Sequence, residues 1–126
     1  MSRTAKVNLP FGGQKRVFQL DVPRLDELQE LTDLGPEAMI RHIQNGDYKT
    51  REISETLRLG LIGGGMEPNA AAIMVERYGS GPYVMDCKSL AYLILMAAIS
   101  GAPESQKDGE PGESGGAGET PPTPES

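Results

Sequence analysis

At 126 residues, with 37% hydrophobic residues, two Phe, four Tyr and no Trp, the chain suits one domain with a core made mainly of Leu, Ile, Val, Met and Ala. The net charge of −6 is concentrated at one end: residues 101–126 hold one Lys against one Asp and five Glu, which leaves the first hundred residues at −1 and argues against a surface built to neutralise nucleic-acid phosphates. A single cysteine, Cys87, and a single histidine, His42, exclude an intramolecular disulfide and a Cys/His zinc site, and point to a reducing cytoplasm.

The opening MSRTAKVNLPF lacks the uninterrupted apolar stretch of a secretory signal. No run reaches the roughly 18 apolar residues of a membrane span, so no membrane partner is expected. Ala5–Leu9 and Arg16–Leu20 alternate apolar with polar residues around Gly12-Gly13, which predicts a β-hairpin covered on one face. Its edge is also a place where another chain could pair, giving a homodimer or a partner complex. Asp21 reads as the N-cap of a first helix, with Pro23 in its first turn, running to about Leu31 and presenting Leu25, Leu28 and Leu31. Leu34-Gly35-Pro36 stops that helix and starts a second, to about Gln44, with Met39, Ile40 and Ile43 on one side.

Thr50 reads as the cap of a third helix, in which Ile53, Leu57 and Leu61 recur at helical spacing and Arg51 can pair with Glu55 on the outside. Gly60 within this helix permits close packing, and Gly63-Gly64-Gly65 follow at its carboxyl end. A phosphate loop must lead into a helix amino end, and here Glu67 puts a carboxylate where the anion would sit, without the Lys or Ser/Thr of a Walker motif. The four glycines are therefore read as structural, Gly60 for close packing and the other three to relieve left-handed backbone at the helix end. A fourth helix is expected from Pro68-Asn69 to Tyr78, burying Ala71, Met74 and Val75, and Gly79-Ser80-Gly81-Pro82 breaks it.

The last helix, Met85 to Ser100, contains ten consecutive residues from Leu90 to Ile99 that are apolar on every side, so it is either central to the core or half of an interface. Residues 101–126 have six Gly, five Pro and no Ile, Leu, Val, Met or aromatic residue, and are expected to be disordered because they bury too little to offset the entropy of ordering. The fold class is thus α+β: a domain over residues 1–100, with a two-stranded hairpin packed on four or five short helices, then the acidic tail at 101–126. His42 has no nucleophile or base partner suggested by the sequence, Cys87 reads as a buried thiol, and Asp26, Glu27 and Glu30 read as a solvated helix face. No catalytic, cofactor or metal site is expected.

FQLDVPRLDELQE, AMIRHIQNGDY and EISETLRLGLIGGGMEPNAAAIMVERY, followed by the apolar helix, resemble the small tail assembly chaperones of gene transfer agents and related siphophages over residues 3–100. The resemblance implies a protein that keeps the tape-measure protein soluble until tail-tube subunits polymerise around it, with the tail-tube protein as a further partner. On that reading Met74, Met85, Leu90, Leu93, Ile94, Met96 and Ile99 are the candidate contact residues, since Met suits adaptable apolar surfaces. The alternative is a structural subunit retained in the tail of a phage-like particle.

Overall fold

A computed structural model describes residues 5–101, so all of the acidic tail beyond Gly101 lies outside the described residues. Strands β1 (Lys6–Phe11) and β2 (Gln14–Gln19) form an antiparallel hairpin, each reaching further toward the turn than the alternation alone suggested. Gly12 and Gly13 both take positive φ, at 65° and 92°, which a two-residue hairpin turn requires. Phe11 pairs with Gln14 across that turn, and the register puts Val7 opposite Phe18 and Leu9 opposite Arg16 on the inner face. Val7, Leu9, Phe11, Phe18 and Leu20 are buried there, with the Phe11 and Phe18 rings meeting edge to face at 6.0 Å.

Five helices follow. Helix α1 (Val22–Thr32) is capped by Asp21, whose carboxylate accepts the Arg24 N–H at 3.2 Å, and α2 (Pro36–Asn45) ends on Gly46 with φ at 79°. Helix α3 (Thr50–Gly63) starts at the expected cap itself: Thr50 is already helical and Lys49 holds the cap position. On its outer side Glu55 pairs with Arg58 at 2.6 Å, one turn further on, and not with Arg51. Helix α4 (Pro68–Tyr78) is capped by Glu67, whose carboxylate accepts the Ala70 N–H, so the helix amino end already holds an anion. A single 3-10 turn at Gly81–Tyr83 leads into α5 (Val84–Ser100).

Helix α3 is the hub, packing against β2, α1, α4 and α5, while α5 also meets α2 and the hairpin. Ile53, Leu57, Leu59 and Leu61 are all buried on α3, each stabilising the fold by about 1.5–3 kcal/mol relative to exposure. Within Gly81–Ser100, 20 residues, an 18-residue window reaches a mean hydropathy of 1.4, long and apolar enough by length and composition to cross a membrane, although Asp86 and Lys88 interrupt the apolar run. Six of the α5 residues are nevertheless buried against this chain's own elements.

The glycines divide by role. A Cβ on Gly60 would lie 3.2 Å from the Phe18 ring and 3.5 Å from Ile94, so its absence lets α3 approach both the hairpin and α5. Gly63 and Gly64 were expected to relieve left-handed backbone, but neither has positive φ. A Cβ on Gly63 would collide with the Gln19 carbonyl oxygen and one on Gly64 with that of Val17, so both serve the backbone approach of α3 to β2. Only Gly65, with φ at 114° and open space around it, takes the turn.

Candidate interaction surface

Helix α5 buries Val84, Cys87, Ala91, Ile94, Leu95 and Ala97 on one side. At 100° per residue, Met85, Ser89, Tyr92, Met96 and Ile99 align on the opposite side, with Leu93 at its flank. Met85 is 68% exposed, Leu93 39% and Ile99 40%, while Tyr92 and Met96 are half-buried at the edges of the core. After Lys88 this face carries no charge as far as Gly101. It can therefore make apolar contacts with a partner, and it offers that partner no ionic anchor along its carboxyl half.

The structure sorts the sequence candidates. Met85, Leu93 and Ile99 are exposed on the outer face, with Met96 partly so. Leu90 is half-buried against the core. Ile94 is 0% exposed and faces Gly60, so it belongs to the interior. Met74 lies on α4, half-buried, with its methyl over Gly12 of the hairpin turn. Tyr92 was not among the candidates, although its spacing from Met85, Met96 and Ile99 places it on the same stripe. Ile73 and Tyr83 are further exposed apolar side chains that sequence reading missed, on α4 and in the 3-10 turn.

The two residues with chemistry in reserve are both tied down. His42 was read without a partner, yet its Nδ1 lies 3.0 Å from both carboxylate oxygens of Glu52. Glu52 is 1% exposed, and it also accepts the Lys49 N–H at 3.0 Å, so this group fastens the end of α2 to the start of α3. Cys87 is buried, donates to the Tyr78 carbonyl at 3.4 Å, and has its thiol pushed up from 9.0 by burial and then by the Asp86 carboxylate. Among the described residues no group of three or more His, Cys, Asp or Glu side chains is placed to hold a metal ion.

A family model described as "Phage tail tube protein, GTA-gp10" matches residues 4–101. The chain belongs to this family of phage and gene-transfer-agent tail proteins. No curated protein and no solved structure matches it. The match corrects the chaperone expectation: the family is described as a tail tube protein, a structural component, and it lends no support to a tape-measure partner.

Proposed function

We propose that this protein is a structural subunit retained in the tail of a phage-like particle, where it meets tail-tube subunits or further copies of itself through the outer face of α5. The observation that carries this reading is a helix apolar on both sides, with its inner side filled by its own chain and Met85, Leu93 and Ile99 left outside in a family of tail proteins. A folded monomer gains nothing from that exposed stripe, whereas a contact that covers it recovers the hydrophobic free energy. The role is non-catalytic: the His42 imidazole is engaged by Glu52, and Cys87 is a buried thiol held in its protonated form. Assembly is assigned to the cytoplasm of the producing cell.

Quantitative mass spectrometry of purified particles tests this directly. The chain should be present at a fixed ratio to the tail-tube protein and should resist stripping by moderate salt, as an apolar contact does. Leu93→Asp, on the exposed face, should fold normally and be depleted from particles. Absence of the unaltered chain from intact particles would overturn the proposal.

A further inference from the structure

The fold treats the sulfur atoms of the described residues unequally. Met39 is fully buried, and its sulfur accepts the Thr32 hydroxyl at 3.7 Å. Met66, Met74 and Met96 are half-buried against the core, the Met74 methyl lying over Gly12. Cys87 is buried, and its thiol donates to the Tyr78 carbonyl. Met85, two residues earlier on the same helix, is 68% exposed and takes no part in the core.

A thioether meets peroxide through a sulfur lone pair, so the reaction needs an open approach to that atom and no prior ionisation. Burial closes the approach at Met39 and narrows it at Met66, Met74 and Met96. The competing thiol is slow for a second reason: the thiolate is its reactive form, and burial with the Asp86 carboxylate holds Cys87 protonated at neutral pH. Met85 alone is open, and it heads the outer stripe of α5 that continues through Ser89, Tyr92, Met96 and Ile99. A change of polarity at Met85 therefore reaches the contact face without reaching the core.

We propose that Met85 is a modification site, oxidised by peroxide to its sulfoxide while the outer face of α5 is uncovered, and that this oxidation lowers entry of the chain into the tail. The Met85 sulfur attacks one peroxide oxygen and forms the S–O bond while the O–O bond breaks. The departing hydroxide takes the proton of the transferred oxygen and leaves as water, so sulfur loses the two electrons that the peroxide gains. The sulfoxide is a polar acceptor, and an apolar contact that covers it supplies no donor. Once the stripe is covered, the same contact shields the sulfur, so the modification acts on the free chain. This inference rests on the structural-subunit reading and adds to it a control over which copies enter.

Limited hydrogen peroxide on the full chain at neutral pH, followed by peptide mass spectrometry, reads the oxidation. Met85 should react roughly tenfold faster than Met39, and ahead of Met66, Met74, Met96 and Cys87, with circular dichroism unchanged. In urea the methionines should react alike. Particles made with variants read the consequence. Met85→Gln, polar and of similar length, should be depleted from them roughly tenfold, whereas Met85→Leu, apolar and without sulfur, should enter as the unaltered chain does. Peroxide applied to intact particles should spare Met85.

Another sulfur oxidised ahead of Met85, or Met85→Gln and Met85→Leu entering particles alike, overturns the proposal. Oxidation of Met85 in intact particles as fast as in the free chain overturns it too, since nothing then covers the sulfur. Particle composition separates the two failures: a chain present at a fixed ratio but indifferent to these changes leaves the subunit reading standing, and one absent from particles removes both.

Discussion

Helices α3 and α5 are both rich in aliphatic residues, yet they spend them differently. On α3, Ile53, Leu57, Leu59 and Leu61 all turn inward, and the outer side is occupied by Arg51, Ser54, Glu55 and Arg58. On α5, Ile94 and Leu95 turn inward while Met85, Leu93 and Ile99 remain outside, with no charged residue after Lys88 to mark the solvent side. The first helix is completed by its own chain, and the second has apolar surface in excess of what its chain can cover. The difference separates residues that make the fold from residues available for assembly.

The sharpest break of that comparison lies between neighbours on α5. Ile94→Ala should destabilise the protein by about 3–4 kcal/mol, since the side chain is fully buried and its removal leaves a cavity beside Gly60. Leu93→Ala should change stability by no more than about 0.5 kcal/mol. Urea unfolding of both variants measures the contrast, and equal losses would place Leu93 in the core as well.

A somewhat smaller effect is expected at the end of α3. Gly63→Ala should lose about 2–3 kcal/mol, because the new Cβ meets the Gln19 carbonyl, a backbone group that cannot swing aside. Gly65→Ala should lose about 1 kcal/mol through its positive φ alone, since nothing lies near its Cβ position. If the two changes proved equally mild, the close approach of α3 to β2 would not be what the first glycine serves.

These positions also show what could be read without a structure. The hairpin and helices were legible because their boundaries are written in local chemistry: the double-glycine turn, Asp21 with Pro23, Pro36 and Pro68. The roles of Gly63 and Gly64 were not, because the backbone they approach belongs to a strand more than forty residues earlier. Glu52 looked like any carboxylate in a first helical turn, and its burial against His42 arises only when α2 and α3 pack. On α5 the spacing of Met85, Tyr92, Met96 and Ile99 was visible, but a segment apolar on every side gives periodicity no polar face from which to orient it.

The α2–α3 fastening is expected to rank third. His42→Ala leaves the buried Glu52 carboxylate with the Lys49 N–H as its remaining side-chain contact, which should lower stability by about 1–2 kcal/mol. Chemical denaturation at neutral pH measures it. No loss would mean that solvent reaching the exposed side of His42 replaces the imidazole without penalty.

The smallest effect concerns Cys87, on the inner side of α5, and it tests how closed that side is. Burial, reinforced by Asp86, raises the thiol from 9.0, so the unfolded chain releases this proton at lower pH than the folded one does. The unfolded state therefore binds fewer protons as the solution becomes alkaline, and the sign follows: the contribution of Cys87 is fully present below about pH 9 and is lost as pH rises through the folded value. Comparison with Cys87→Ala removes the Lys and Tyr titrations that both proteins share. The stability difference between them should narrow as pH rises above about 9, and iodoacetamide should alkylate the folded thiol far more slowly than the unfolded one at pH 8. Rapid alkylation of the folded chain would show that the inner side of α5 opens to solvent, and the contrast between its two faces would then be one of degree.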